Sequence, residues 1–461
     1  MKRKYLAFSI LSLSLAFTGA SGTSTAVAFP AITSYFNTSL VVAGWILSAN
    51  PVASAVLMPI FGKLSDLIER KFTFQLCMLI FTISSLFCAI SPNITLLIIS
   101  RIIQGIGSGG LMPCTTGIIS DEFPEQRQRF IGLLTSVTPI AMIIGPNVGG
   151  WLTESYGWRS IFWINVPFGI LIMVFSQWLL VPSKKTSVRS SIDFLGAGLM
   201  FSSSLILLLG FTFVNQTINA GIPILFIGLF LGLVPVLVII FMWQEHRVKE
   251  PFINLELLKK KPFLAANIYN FIFGLIGLGV LSLIPLYAVS IYNMNTLESG
   301  AILTPRSIGM IAGSVVVSAN ITRWGYRWPI IIGTLTVGFS LFILSFQVQE
   351  IALIGREIGP VPLILTMMLV SGIGHGICTP ASNNACIELL PEKVATIIGL
   401  RGMFRHLGSA IGIAISTIIL SYFDSIEYGF KVLMLGSVVI LILSIPIILA
   451  MPASPNAKSP R

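Results

Sequence analysis

Charge is what this chain has least of. Only 10% of its 461 residues are Asp, Glu, Lys or Arg, against about a quarter in a soluble domain. With 55% hydrophobic residues, that excludes a soluble globular enzyme and a disordered chain. Acid is the scarcer sign, with 17 Asp+Glu against 28 Lys+Arg and a net charge of +11. No carboxylate precedes Asp66, and Glu154, Asp193, Glu298 and Glu388 all fall near the ends of apolar runs. The 3 histidines (His246, His375, His406) are dispersed, so neither a catalytic cluster nor a metal site can be assembled from them. The 5 cysteines (Cys77, Cys88, Cys114, Cys378, Cys386) have no ligand spacing and sit inside apolar runs, where they read as small packing residues. A phosphate-binding Gly-x-x-x-x-Gly-Lys-Ser/Thr loop is missing, which leaves ATP-driven pumping unsupported. No enzymatic activity, metal or cofactor is expected.

What the chain has is apolar length. Its mean hydropathy is +0.92, and a bilayer-spanning helix needs about 20 apolar residues. The pattern predicts an all-α polytopic membrane protein of fourteen spans: 6–28, 40–61, 72–91, 95–119, 130–152, 161–181, 193–214, 221–243, 263–290, 298–320, 328–347, 361–386, 396–420 and 431–451. Breakers such as Asn37, Pro92, Pro182 and Pro360 separate them. Lys2, Arg3 and Lys4 precede a run that continues to Val27, too long for a signal peptide, so it is read as a span. With these spans, 23 Lys and Arg fall on one side, 3 (Arg159, Arg356, Lys431) on the other, and Arg101 and Arg306 inside spans. The 23 include Arg401 and Arg405. This asymmetry predicts a multi-pass cell-membrane protein with both termini cytoplasmic, and removes the nucleic-acid reading of a basic chain. Tryptophans near span ends, at 45, 151, 158, 178, 243, 324 and 328, are expected to anchor at the interface.

Shifting the chain by 267 residues lays 105–145 on 372–412 with 12 of 41 positions identical. Gly105, Gly107, Gly109, Pro113, Pro124, Glu125, Gly132 and Gly145 match Gly372, Gly374, Gly376, Pro380, Pro391, Glu392, Gly399 and Gly412. The fourth and fifth spans thus repeat as the twelfth and thirteenth. Two six-helix halves are expected at 1–182 and 247–452, with two inserted helices in 183–246 and a tail at 453–461. Parallel halves are a transporter plan.

Three segments carry a family resemblance. The loop after the second span, Gly62-Lys-Leu-Ser-Asp66-Leu-Ile-Glu-Arg70-Lys71, resembles the cytoplasmic signature of the major facilitator superfamily, with Glu69 where a glycine is usual; a degenerate copy, Thr322 to Arg327, follows the tenth span. The resemblance implies a charged gating latch of Gly62, Asp66, Arg70 and Lys71. Arg101-Ile-Ile-Gln104-Gly105 in the fourth span is similar to the second signature, with a buried arginine facing the cavity. Gly145-Pro146-Asn147-Val148-Gly149-Gly150 in the fifth resembles the antiporter signature, which makes Gly145, Pro146, Gly149 and Gly150 a hinge. Gly309 and Gly313, and Gly408 and Gly412, offer matching small-residue stripes. Phe162 to Pro167, Asp193 to Gly196 and Pro251 to Leu255 are similar to the fourteen-helix drug:proton antiporter subfamily. Membership implies a proton-coupled exporter of small amphipathic compounds or drugs by alternating access, working as a monomer in the lipid bilayer. The alternatives are export of an anionic or lipid-like metabolite with another coupling ion and, ranked below it, a non-transporting membrane enzyme or sensor.

The departure lies in the first span. The subfamily usually carries an aspartate where this chain has Ser21. The deep ionisable groups are Arg101, Arg306 and His375, so the cavity should favour anionic or neutral amphiphiles over lipophilic cations, and His375 becomes the candidate proton carrier. Arg306 could pair with Glu298 two turns away. Candidate substrate-binding residues are Ser21, Thr25, Gln104, Asn267, Tyr269, Asn270, Asn383 and Asn384.

Overall fold

The computed structural model describes residues 2–135, 137–182, 193–220, 224–248, 255–349, 351–353, 356–389 and 394–453. Helix dominates. The first eight helices are α1 (Lys2–Phe36), α2 (Leu40–Leu67), α3 (Arg70–Ile90), α4 (Ile94–Glu122), α5 (Arg127–Thr135), α6 (Val137–Tyr156), α7 (Ser160–Trp163) and α8 (Asn165–Leu179). Then come α9 (Phe194–Ala220), α10 (Ile224–Arg247), α11 (Leu255–Lys259), α12 (Lys261–Gly274), α13 (Ile284–Tyr292), α14 (Thr296–Ala301) and α15 (Thr304–Trp324). The chain closes with α16 (Arg327–Leu344), α17 (Val361–Ile387), α18 (Val394–Tyr422), α19 (Ile426–Leu443) and α20 (Ile445–Leu449).

Among the described residues, 13 helical stretches are long and apolar enough to cross a membrane. The expectation of fourteen differs at the fifth span, which the structure describes as α5 and α6 on either side of residue 136. Two further differences are local. The ninth span is not one helix: a π-helical turn, Leu275–Gly279, and a 3₁₀ turn, Val280–Leu283, stand between α12 and α13. Gly274, Gly277 and Gly279 loosen the ladder there, and Pro285 restarts it. The expected loop before α17 contains an antiparallel hairpin, Ile351–Leu353 with Arg356–Ile358, Ile351 facing Ile358.

The elements follow from local chemistry. Ser39, Asn93 and Ser425 accept a backbone N–H at the starts of α2, α4 and α19, each satisfying a donor that has no helical partner. Asn295 and Glu298 form a capping box on α14. Inside the apolar runs, hydroxyls bond back to the preceding turn, as Thr25 does to the Ser21 carbonyl and Ser85 to that of Phe81. Large apolar side chains such as Leu229, Ile239, Val315 and Leu443 stand exposed on the outside. Polar helix interiors behind an apolar exterior mark a multi-pass membrane protein.

The repeat is a packing repeat. Gly105 and Gly109 of α4 bring it against the backbone of α2 at Asn50 and Ser54, and Gly107 lies on α3 at Cys77 and Phe81. Gly372 and Gly376 of α17 meet α15 at Arg306 and Met310, and Gly374 meets α16 at Gly333. In both places a side chain would collide with backbone, so glycine is required for helices to approach this closely. Gly309 and Gly313 therefore face α17, Gly408 faces α12 at Phe271, and Gly412 faces the π-helical turn at Leu275. They join helices within the second group and do not meet α6.

α2 and α18 run antiparallel, with Gly44 near Thr417 and Met58 near Gly402. Arg3 pairs with Glu122 and Arg70 with Asp121, while Tyr326 donates to Ala453 and Arg327 to Met451. Lys2 and Ala453, the first and last described residues, therefore lie at one end of the bundle. α9 and α10 pack on each other, and α9 docks on α2 and α18, where Trp45 Nε1 donates to Thr212 at 2.8 Å. Trp45 thus serves packing, as does Trp158, which is buried against Phe162, whereas Trp151, Trp178, Trp243, Trp324 and Trp328 are exposed as expected of interface anchors. Residues 183–192 lie outside the described residues.

Candidate functional site

Arg101 is buried inside the first group of helices and does not snorkel. Its Nε donates to the Ile46 carbonyl of α2 at 2.9 Å, and Nη1 donates to Gln104 Oε1. Gln104 Nε2 passes the chain on to Ser85 of α3 at 2.7 Å. One guanidinium thus ties α4 to α2 and, through Gln104, to α3. Arg101→Ala orphans the buried Gln104 Oε1, at a cost of about 1–3 kcal/mol. A lowered melting temperature in detergent is the expected readout, and an unchanged one would contradict this role.

Ser21 is also held within this group. Asn165 of α8 donates to its hydroxyl at 2.8 Å, and both residues are buried. The amide supplies the polar partner at a position where a carboxylate was expected from the resemblance.

The Gly-Pro signature of α6 has two working faces. Gly145 and Gly149 lie against Ala20, Thr23 and Ser24 of α1, and Ser24 Oγ donates to the Gly145 carbonyl at 2.7 Å. Gly150 and Pro146 turn the other way, toward Thr296, Leu297 and Gly300 of α14. Among the described residues, three bonds join α6 to the second group: Asn147 Nδ2 to Thr304 Oγ1 at 2.7 Å, Ser307 Oγ to the Met142 carbonyl at 3.0 Å, and Thr296 N to Glu154 Oε2 at 3.2 Å. Beside this seam lies an apolar core drawn from both groups: Val27, Phe29 and Leu47 with Leu283, Tyr287 and Phe430. The end opposite the termini is therefore closed.

At the other end, Gly62 lets α2 pass within van der Waals reach of Pro113 on α4. Arg70 Nε pairs with Asp121 Oδ2 at 3.4 Å, and Gly117 leaves room for the guanidinium. Lys71 donates to the Gln177 carbonyl of α8 at 2.8 Å. Asp66 sits in the last turn of α2; its side chain lies outside the described residues.

The second group holds a concentration of cations. Arg306 does not pair with Glu298, whose carboxylate is used by the α14 cap. Instead Nη2 donates to the Gly277 carbonyl in the π-helical turn, at 2.7 Å. His375 packs over Phe273 with ring centroids 4.0 Å apart, and fits because Gly277 has no side chain. Arg405 lies over Phe273 at 5.5 Å. Arg401 donates to Asn383 Oδ1 through Nη1, and through Nη2 to Ser382 Oγ at 3.3 Å and Asn270 Oδ1 at 3.4 Å. Asn270 in turn donates to the Arg401 carbonyl at 2.5 Å. Asn384 is exposed, Asn267 bonds to the Phe263 carbonyl, and Tyr269 meets Thr334.

Arg401 and Arg405 correct the sequence reading, which counted them with the positives of one side although both fall in its span 396–420. Both lie within α18, Arg401 buried and Arg405 partly exposed. A signal was present: 401, 405, 408 and 412 recur at helical spacing, and Gly408 and Gly412 mark the face that packs on α12 and the π-helical turn.

Comparison with known proteins agrees with this architecture. The model of the Major Facilitator Superfamily matches residues 11–319 and again 271–461. Multidrug transporter protein MdtP of Bacillus subtilis (strain 168) is 29% identical over 406 residues, covering 87% of this chain and 73% of that protein. Multidrug resistance protein 3 of the same organism is 30% identical over 379 residues, covering 80% and 71%. Among solved structures, a bacterial homolog of the human lysosomal transporter Spinster superposes with a TM-score of 0.70 at 16% identity, over 97% of each chain. The chain, a multi-pass membrane transporter, belongs to the Major Facilitator Superfamily.

Proposed function

We propose that the protein is a proton-coupled exporter of small amphipathic compounds, working as a single chain in the cell membrane by alternating access. The observation that carries this reading is the seam of α6 with α14 and α15 at the end opposite the termini. It is built from the Gly-Pro signature, and it closes one end of a bundle whose relatives bear multidrug transporter names. The asymmetry of basic residues supports cytoplasmic termini, and in that orientation the conformation is closed to the outside. Residues 1–182 and 247–452 are the two moving halves, with the helices of 183–246 bridging them as the seventh and eighth of fourteen. Gly62, Asp66, Arg70 and Lys71 form the cytoplasmic latch, and Gly145, Pro146, Gly149 and Gly150 the joint on which the outer end opens.

His375 has a further bearing on coupling. A proton there would add to the positive charge of its arginine neighbours and would strengthen the hold on an anion. We therefore place His375 with the substrate-binding groups. The test of the function is uptake into proteoliposomes: an acidic lumen should drive accumulation of an amphipathic probe, and a protonophore should abolish it. Accumulation indifferent to the gradient would remove proton coupling.

A further inference from the structure

We propose that α12, α17 and α18, with Arg306 from α15, build a binding site for the anionic head of an amphipathic substrate: a carboxylate, sulfonate or phosphate on an apolar body. The proposal rests on the exporter reading and names its substrate class. Its basis is an imbalance of charge. Arg306 and Arg401 are buried, Arg405 is partly buried, and His375 lies with them. The sequences of these four helices contain no Asp or Glu. Glu388, just past α17, already accepts from Tyr326 at 2.5 Å. On the facing helices, α1 has no acid, while those of α2 and α4 lie in their last turns at the terminus-bearing end. Buried guanidiniums without a counter-ion are costly, by several kcal/mol per charge.

Each of these groups also keeps one nitrogen unspent. Arg306 Nε, Arg401 Nε, Arg405 Nε and His375 Nε2 are all buried without a hydrogen-bond partner. Residues 270, 273 and 277 line one face of α12 and its continuation; 375 and 382 are two turns apart on α17; and 401 and 405 one turn apart on α18. Helical spacing therefore brings the donors together. A guanidinium fork matches a two-oxygen anion. Phe273, in contact with both His375 and Arg405, supplies an aromatic wall for an apolar body. Arg405 and Asn383 are partly exposed.

The test uses the purified full chain and four probes with one ring system: naphthalene-2-sulfonate, naphthalene-2-carboxylate, 2-naphthylmethanol and 2-naphthylmethylammonium. Binding is measured by calorimetry. The two anions should bind at least about tenfold more tightly than the alcohol or the ammonium. Arg405→Gln should weaken both anions by about 10- to 100-fold, the worth of a hydrogen bond to a charged group, and leave the alcohol unchanged. Arg405→Lys, which keeps charge but loses the fork, should fall between. Lys431→Gln, an exposed charge far along the chain on α19, should change nothing. Equal or tighter binding of the ammonium, or anion binding indifferent to Arg405→Gln, would overturn the site. Gradient-driven flux of the alcohol with no anion preference would sink the site and leave the exporter standing. Anion binding lost in Arg405→Gln, with no flux of any probe in wild type, would leave the site and sink the exporter.

Discussion

Joining a cysteine at position 147 to one at position 304 with a short cleavable reagent is expected to stop transport in every molecule it links. Asn147 Nδ2 and Thr304 Oγ1 are 2.7 Å apart across the seam between α6 and α15. Both side chains are partly accessible, so a reagent can reach Asn147→Cys and Thr304→Cys. The native cysteines are all buried, which keeps background linking low. If export requires this end to open, a covalent tie holds the protein in one state and turnover falls in proportion to the linked fraction. Substrate binding from the other end should survive, and cleavage of the link should restore flux. Transport that persists in fully linked protein would mean that the seam does not open during the cycle.

The second large effect is expected from Gly300→Leu. A Cβ at position 300 would lie 3.1 Å from the Pro146 carbonyl carbon and 3.3 Å from a methyl of Val27, and closer still to the Pro146 oxygen. The obstacle is backbone, so side-chain rotation cannot relieve it. α14 must move away from α6, and the closed end loses stability. Overpacking of this kind costs about 1–3 kcal/mol, which shifts a two-state equilibrium by roughly 5- to 150-fold. Export should fall at least about tenfold, with Gly300→Ala milder. Asn147→Cys on the Gly300→Leu background should react faster with an impermeant maleimide from outside. Gly436→Leu, at a position with open space around it, is the matched control and should transport normally. Unchanged labelling in the Gly300→Leu protein would contradict the hinge.

Why some features were legible in sequence and others were not is a matter of what sets them. Span positions depend on apolar length, a local property, and the 13 apolar helices among the described residues follow the hydropathy pattern. The repeat was legible because a close helix crossing demands glycine at fixed spacing, and Gly105, Gly107 and Gly109 return as Gly372, Gly374 and Gly376. The break after α12 was hidden: its glycines also suit an ordinary packed helix, and their contacts with Arg405 and Ser409 of α18 exist only in the fold. The spacing allows Arg306 to pair with Glu298, but the carboxylate is consumed by a cap three residues long, and the freed carbonyl of Gly277 takes the guanidinium. Arg401 and Arg405 were hidden by their place near the cytoplasmic end of a predicted span. Counting positives by side cannot distinguish a basic residue in a loop from one a turn or two inside a helix that faces inward. Asp66, the centre of the predicted latch, remains a sequence-based assignment, and the described contacts of that region run through Arg70, Asp121 and Lys71.

The central claim is that substrate leaves in exchange for a proton entering. The most direct measurement is the pH inside sealed proteoliposomes with an acidic lumen and a trapped pH-sensitive dye. Adding naphthalene-2-carboxylate or an uncharged amphipathic probe outside should alkalinise the lumen as substrate enters and protons leave. The change should saturate with probe concentration and vanish in protein linked between positions 147 and 304. Substrate uptake with no protein-dependent change in lumenal pH would contradict proton exchange.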